Sequence, residues 1–368
     1  MKGTAEKAPL LGQQSAGKKF NSIKPSQMLR RLIARLPTSV LCLALGICGL
    51  GITWQTAAEY LIAAQFIKDT ADVFSLISFN IGVSILLLYS MKLILFPSLV
   101  LEDMLSTQGN AELPCLDMAM MMIAWWLRIH GYHSLGRVIW SVAVLLHCLF
   151  LVAFLRHVKF QDISSMTPNW LIPFVGLSMA AGTGASLDLG EWTEYFFWIA
   201  FLSFLILFPV MLYRLHAYPE GSRAEAQYPY IAFPAALLLT SWIAMGGHQG
   251  HVLTHFLFLV QMCSIVLVSL RISNMFSMNF ENDFSSLAFP SDISAKCSIL
   301  YTHLYMAESG VMVMCSWIFV FLASLSVAYL CFKFGSIALG SIIDESNSSI
   351  IDRLKESQNV DDSKESDL

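Results

Sequence analysis

Charged side chains are scarce in this sequence. Only 13% of its 368 residues are Asp, Glu, Lys or Arg, whereas 56% are hydrophobic, and the mean hydropathy is +0.62. Soluble domains carry about 25% charged residues, so this composition excludes an ordinary soluble protein. It predicts an integral membrane protein.

The sequence also lacks the short motifs of several enzyme classes. It contains no phosphate-binding loop and no nucleophile elbow, so hydrolase and phosphotransferase chemistry are not expected. Its cysteines form no C-x-x-C pair and no spaced framework. We therefore expect a protein that is not an enzyme and that has no cofactor and no nucleic-acid partner. The eight cysteines, scattered through apolar segments, are Cys42, Cys48, Cys115, Cys148, Cys263, Cys297, Cys315 and Cys331.

The two ends of the chain differ in charge. Residues 1–35 contain eight Lys or Arg and a single acid, Glu6, whereas the segment after Ile342 is rich in Asp, Glu and Ser. Segments with few apolar residues cannot bury enough surface to fold. We predict a disordered basic tail over 1–35 and a largely disordered acidic tail over 335–368. The basic tail lacks a short apolar run with a small-residue cleavage site, so no cleavable signal peptide is expected.

Ten apolar stretches, joined by brief connections, lie between the tails. A hydrocarbon core about 30 Å thick needs about 20 helical residues to cross it, and most of the stretches have that length. We predict an all-α membrane domain of ten transmembrane helices over residues 36–334. The predicted spans are 36–55, 74–97, 115–131, 134–155, 168–188, 192–213, 229–246, 252–272, 284–305 and 310–334.

A proline lies in or at the start of every odd-numbered stretch. Broken or bent helices are tolerated at membrane depth where they are buried in protein or line a wet cavity. The alternation predicts five inner, odd-numbered helices around a central pore and five outer, even-numbered helices that face lipid. The alternative is that Gly and Pro are simply commoner in membrane helices. The residues predicted to shape the pore are Pro37, Gly46, Pro173, Gly176, Pro234 and Pro290.

Positive charge sets the predicted orientation. An even number of spans places both termini on one side of the membrane, and cytoplasmic segments are enriched in Lys and Arg. The basic first 35 residues therefore place both termini in the cytoplasm. The connections agree weakly, with six Lys or Arg on the predicted cytoplasmic side and four, including Lys296, on the other.

The ninth stretch contains a candidate gate. Phe289 directly precedes Pro290 in a run of small and hydroxyl residues. In a narrow pore a phenyl ring can act as a plug, because an apolar constriction excludes water and ions until it moves. The alternative is that Phe289 packs in the core like many of the 25 phenylalanines of the chain.

Three ionisable residues interrupt the apolar stretches. Such groups are costly in a membrane and are usually paired or functional. Asp292 and Lys296 are four residues apart, so a helix allows them to form a charge pair in the pore. Asp117 begins the third stretch, where a position at the membrane interface is the simplest interpretation. An unpaired carboxylate in the lumen would favour cation or proton handling over anion passage.

Three histidines have a spacing that a helix would place on one face. His248, His251 and His255 stand at i, i+3 and i+7. No Cys, Asp or Glu lies within several residues of them, and the group falls at the junction of a loop and a helix. Histidines at a membrane interface are therefore favoured over a metal site, and we predict no bound metal.

Several patches of the sequence resemble the tellurite-resistance/dicarboxylate transporter family, which includes the bacterial TehA proteins and the slow anion channels of plant guard cells. They occur in the family's order and at its spacing. Each patch alone is a weak signal, and the resemblance rests on the series. The patches are Leu36-Pro37 with 45–51 (LGICGLG), 95–102 (LFPSLVLE), 167–176 (TPNWLIPFVG), 212–215 (LYRL) and 232–236 (AFPAA).

The resemblance implies a homotrimer in which each protomer has its own pore, with five inner helices ringed by five outer ones. It also implies that Phe289, which falls on the family's ninth-helix phenylalanine, occludes that pore. Two features depart from the family pattern. Ser285 and Leu287 replace aromatic residues near the gate, and Asp292 is not expected in an anion pore.

The predicted function is an anion channel or transporter of a plasma membrane or bacterial inner membrane. It would pass small anions such as chloride, nitrate or malate. The alternative is a proton-coupled carrier of C4-dicarboxylates or tellurite that uses Asp292 or Asp117 as a titrating group. The predicted partners are therefore small inorganic or carboxylate anions, the lipid bilayer and two further copies of the chain.

Overall fold

The structure is a computed structural model that describes residues 25–61, 64–158, 163–218, 222–247 and 252–365. Residues 33–341 form one compact unit, and the described parts of 1–32 and 342–368 form another. The candidate site described below lies entirely within the first unit.

Every regular element of these described ranges is helical, and none of them forms a β-strand. Four short 3₁₀ segments, 168–170, 191–193, 228–232 and 282–287, directly precede α-helices. The α-helices are α1 Pro25–Ala34, α2 Ser39–Tyr60, α3 Gln65–Leu95, α4 Pro97–Leu105, α5 Thr107–Glu112, α6 Pro114–Ile129, α7 His133–His157, α8 Leu171–Val175, α9 Leu177–Ser186, α10 Glu194–Ala217, α11 Ser222–Gln227, α12 Phe233–Ala244, α13 Val252–Ser277, α14 Ala288–Tyr305 and α15 Gly310–Glu365.

Six helices are long and apolar enough to cross a membrane, namely α2, α3, α7, α10, α13 and α15. They coincide with the predicted spans 1, 2, 4, 6, 8 and 10, so the prediction of an all-α, multi-pass membrane protein is confirmed. The other four predicted spans are shorter, broken or carry charge, and they correspond to α6, to α8 with α9, to α12 and to α14. That all ten cross the membrane stays a prediction.

Burial divides the helices into two classes. The most apolar window of α2 is 89% buried, whereas the corresponding windows of the other five long helices are only 22 to 28% buried. The shorter helices α6, α9, α12 and α14 are buried over most of their length. Burial therefore follows the predicted odd and even numbering. The positions of the prolines match this numbering less well, because Pro209 lies inside the largely exposed helix α10.

Most of the prolines in the odd segments start a helix rather than bend one. Pro114 and Pro234 occupy the first turns of α6 and α12, where no intrahelical partner is available for the missing N–H. Pro173 lies inside a segment, and the helix there breaks at Gly176 between α8 and α9. The predicted tails and domain boundaries stay predictions, although α15 continues as helix to Glu365.

Two glycines allow α2 and α14 to approach at backbone distance. A Cβ added at Gly46 would lie 2.5 Å from Ala288 Cβ and 2.9 Å from the Phe289 backbone nitrogen. A Cβ added at Gly49, one turn further along α2, would collide with the Asp292 carboxylate. The first two turns of α14, which contain Phe289 and Asp292, therefore rest directly on the backbone of α2.

Substitution of Gly46 tests this contact. Alanine at position 46 must push α14 away, so we expect Gly46→Ala to lower the thermal unfolding temperature of the detergent-solubilised protein. Overpacking of this kind costs about 1–3 kcal/mol, which outweighs the gain of about 1 kcal/mol in helix propensity. Gly335→Ala in α15 is the control, because an added Cβ there has open space. Equal stability of both variants would contradict the close approach.

Candidate functional site

A small cavity lies between four of the buried helices. It has a volume of about 30 Å³, and one residue of its described lining, Lys296, is charged. We call it the central cavity. Its lining comes from α6 (Met122, Trp125), α9 (Met179, Gly182, Thr183, Ser186), α12 (Leu237, Thr240, Ser241, Ala244) and α14 (Ile293, Lys296).

Two larger cavities lie at opposite ends of α2. One has a volume of about 640 Å³, reaches Tyr60 at the end of α2, and shares Trp125, Thr240 and Lys296 with the central cavity. We call it the Tyr60 cavity. The other, with a volume of about 520 Å³, lies near the start of α2 and includes Glu112 in its lining. We call it the Glu112 cavity. Its described lining also contains Asp103, Glu281 and Asp283, so this end is acidic.

Phe289 is buried at the start of α14, with 4% of its surface exposed. Its ring centroid lies 6.0 Å from that of Phe233, and its backbone rests on Gly46. Ile293 and Lys296 follow at i+4 and i+7, so Phe289 shares with them the helix face that lines the central cavity. The described lining of the three cavities does not include Phe289.

Asp292 and Lys296 point towards different helices. The carboxylate of Asp292, which is fully buried, lies against Gly49 and beside Thr53 of α2. The ammonium of Lys296 lies 3.6 Å from the ring centroid of Trp125 on α6. Among the ion pairs of the described residues, all with N···O within 4.0 Å, there is none between Asp292 and Lys296. Their joint role in a pore stays a prediction.

The predicted orientation counted Lys296 as a residue of a connection between spans, but it is not one. It lies within α14 with 7% of its surface exposed. The predicted ninth span, 284–305, already contains Lys296, and the connection on that side begins only after Tyr305. Lys92 and Arg214, counted on the cytoplasmic side, are also buried within helices, so removing all three leaves four Lys or Arg against three.

Asp117 is fully buried in the protein, and its predicted position at the membrane interface stays a prediction. Its Oδ1 lies 2.6 Å from Nδ1 of His147, and Nε2 of His147 lies 3.1 Å from the carbonyl oxygen of Pro173. Both side chains are fully buried. Because a carbonyl only accepts, Nε2 must donate to Pro173, so Nδ1 and Oδ1 share a single proton. The pair is therefore neutral overall, whether it is an imidazolium with a carboxylate or an imidazole with a carboxylic acid.

This network joins α6, α7 and α8, and sequence reasoning missed its histidine. His147 was the available signal, since it is a polar residue in the middle of the very apolar fourth span. Gly176 leaves room for the network, because an added Cβ would lie 3.1 Å from the His147 ring and 2.7 Å from Met118 Sδ. Pro173 and Gly176 thus lie against this network, and the described lining of the central cavity does not include them.

The remaining predicted pore residues lie in different places. Pro37 lines the Glu112 cavity. Pro234 is buried at the start of α12. Pro290 lines a largely apolar groove of about 550 Å³ between α13, α14 and α15. Gly46 contacts the start of α14, as described above. Whether these residues shape a pore stays a prediction.

Of the three histidines predicted to share a helix face, the structure describes His255. His248 and His251 lie outside the described residues. Nδ1 of His255 lies 2.9 Å from the Tyr301 hydroxyl oxygen, and its ring packs against Tyr305. In the part of the chain that the structure describes, no group of three or more His, Cys, Asp or Glu could hold a metal ion.

Substitutions in the Asp117–His147 pair test its contribution to the stability of the protein. Removing one partner of a buried pair leaves the other uncompensated, which costs about 3–5 kcal/mol. We therefore expect Asp117→Leu and His147→Leu each to lower the thermal unfolding temperature strongly, and the double variant to recover much of the loss. Glu225→Gln is the control, because it breaks the more exposed Arg271–Glu225 pair, which is worth about 1 kcal/mol or less. Additive losses in the double variant would contradict the coupling.

Comparison with known proteins identifies the family. The family model described as voltage-dependent anion channel, SLAC1, matches residues 35–334, which is most of the chain. No curated protein matches the chain. The matched range covers all the patches that carry the resemblance in the sequence, and it contains the three cavities, Phe289 and both buried charge sites. The proteins of this family are channels or transporters. The chain therefore belongs to the voltage-dependent anion channel family.

Proposed function

We propose that this protein is an anion channel with one pore in each protomer. The pore would be formed by α2, α6, α8 with α9, α12 and α14, and would pass small anions such as chloride, nitrate or malate. The observation that carries the proposal is the central cavity, because four short buried helices contribute to its lining and an ammonium group faces it. The Tyr60 cavity continues it at one end.

Phe289 is the proposed gate. It shares a helix face with the lining residues Ile293 and Lys296, and it lies closer to the Glu112 end of α14 than they do. An apolar ring in a pore blocks ions by excluding their hydration water. The Phe233 ring supports the Phe289 ring in this position, and Gly46 lies against the Phe289 backbone. Movement of one ring or of the first turn of α14 would then connect the cavities.

The proposed setting is a cell membrane, with both termini in the cytoplasm and three copies of the chain in the assembly. The exposed apolar faces of α3, α7, α10, α13 and α15 would contact lipid and neighbouring protomers. The basic segment 1–35 supports the orientation. In this orientation the Glu112 cavity faces the cytoplasm and the Tyr60 cavity faces the other side.

Removal of the gate ring tests the channel directly. In lipid bilayers containing purified protein, we expect the anion current of Phe289→Ala to exceed the wild-type current by about tenfold or more, which corresponds to a barrier lower by about 1.4 kcal/mol. The reversal potential should lie near the chloride potential. Phe321→Ala is the matched control, because Phe321 is a 71% exposed phenylalanine on α15. Unchanged current in Phe289→Ala, or an equal rise in the control, would contradict the gate.

A proton-coupled carrier of dicarboxylates or tellurite is the second candidate. One observation favours it, because Asp292 is fully buried and no described cation forms an ion pair with its carboxylate. A carboxylate of that kind can bind and release a proton during transport.

Uptake of labelled malate into liposomes distinguishes the two candidates. A carrier should give saturable uptake that follows an imposed pH gradient and disappears in Asp292→Asn. A channel should give uptake that follows the membrane potential and is insensitive to the pH gradient. For the present geometry we expect the channel result, because Asp292 faces α2 and is absent from the described lining of the three cavities.

A further inference from the structure

We propose that Lys296 is the anion-binding and charge-selecting residue of the pathway, and that Trp125 holds its ammonium in place. The site would take a small inorganic anion such as chloride or nitrate. This inference rests on the proposed function and adds to it the group that distinguishes anions from cations.

Lys296 lies where two cavities meet. Its side chain belongs to the described lining of both the central cavity and the Tyr60 cavity, and it is the charged residue in the described lining of the former. An anion that moves between these cavities must therefore pass the ammonium. Opposite charges attract strongly where low-dielectric walls concentrate the field.

Trp125 fixes the ammonium without neutralising it. The Nζ atom lies 3.6 Å from the centroid of the indole ring, well within the distance at which a ring face attracts a cation. A ring face attracts the charge but does not remove it, whereas a carboxylate would cancel it. An ammonium has three N–H donors, and those that do not point at the ring can therefore be directed towards an anion. Trp125 itself lines both cavities, so the contact is formed at the pathway.

Asp292, one turn before Lys296 on α14, compensates the buried charge while its carboxylate lies against α2. An isolated ammonium is very costly to bury, and the carboxylate one turn away lowers that cost. Opposite charges attract through space, although the two groups form no direct ion pair among the described contacts. The slot that Gly49 leaves on α2 keeps the carboxylate turned away from the central cavity. The ammonium thus remains available to an anion.

The four hydroxyl groups of the lining offer less to an anion than an ammonium does, because Ser241 brings one uncharged donor and the other three already donate elsewhere. Thr183, Ser186 and Thr240 donate their protons to backbone carbonyls of their own helices, at 2.6, 2.9 and 3.0 Å. A hydroxyl has one proton to donate, so these three present mainly oxygen lone pairs to the cavity. Lone pairs do not favour an anion. The ammonium of Lys296 is therefore the group that gives the cavity its preference.

The test uses Phe289→Ala, in which the gate ring is absent, as the background. In a chloride gradient we expect Phe289→Ala to reverse near the chloride potential. Adding Lys296→Met, which keeps the length of the side chain and removes its charge, should lower the anion-to-cation permeability ratio by about tenfold or more, since a unit charge at contact distance contributes more than that factor. Adding Lys296→Arg should retain the preference.

Two further variants separate selectivity from general damage. Lys333→Met is the matched control, because Lys333 also lies near aromatic rings on a membrane helix but is absent from the described lining of the three cavities. It should leave the reversal potential unchanged. Trp125→Leu should lower the permeability ratio, whereas Trp125→Phe should retain most of it because a ring face remains. Conducting Phe289→Ala channels whose selectivity is unaffected by Lys296→Met would overturn the inference while leaving the proposed function intact.

Absence of current in Phe289→Ala would count against the proposed function alone. In that case a binding measurement still tests the role of Lys296. Chloride exchanging with a protein site broadens the ³⁵Cl nuclear magnetic resonance line. We expect wild-type protein in detergent to broaden the line, competition by nitrate to reverse the effect, and Lys296→Met to abolish it while Lys333→Met does not. Equal broadening by wild type and a correctly folded Lys296→Met variant would show that the anion does not bind at Lys296.

Discussion

The close backbone contact between α2 and α14 determines most of the candidate site. At Gly46 and Gly49 no side chain separates the two helices, so the first turns of α14 lie directly on α2. Phe289, the second residue of α14, lies at one of these points, and Asp292 fits the space at the other. The position of the proposed gate and the direction of the buried carboxylate therefore have the same cause. A side chain at either glycine would change both at once.

Burial explains why the inner helices look so different from the outer ones. A helix in contact with lipid must satisfy all its backbone groups internally and must be apolar along the whole crossing. Helices α3, α7, α10, α13 and α15 meet these conditions. A helix surrounded by protein need not be as long, and its ends can finish in 3₁₀ turns whose backbone groups contact other helices or a cavity. The short helices α12 and α14 both begin in this way. Interior position thus permits the irregular backbone that a permeation pathway uses.

The sequence predicts the class of protein well, because composition and the length of apolar stretches depend on the membrane alone. It also predicts the family, which the family model confirms over residues 35–334. Rules based on spacing along one helix predict side-chain contacts inside the bundle less well. The i to i+4 spacing suggested that Lys296 pairs with Asp292, whereas its ammonium contacts Trp125 on another helix. The partner of Asp117, His147, lies 30 residues away. Both contacts depend on how helices pack, and no spacing along one helix contains that information.

Separation of the two buried charges would reconcile a carboxylate with the proposed anion pathway. In a medium with an effective dielectric constant of about 20, an anion at about 4 Å from an ammonium gains about 4 kcal/mol. A carboxylate that lies farther from the anion repels it less, because the energy falls with distance, so attraction prevails. A direct ion pair would place both groups at nearly equal distances from the anion and cancel most of this difference. With Asp292 against Gly49 of α2 and Lys296 over Trp125 of α6, the protein can keep the buried pair neutral overall and still present positive charge to the central cavity.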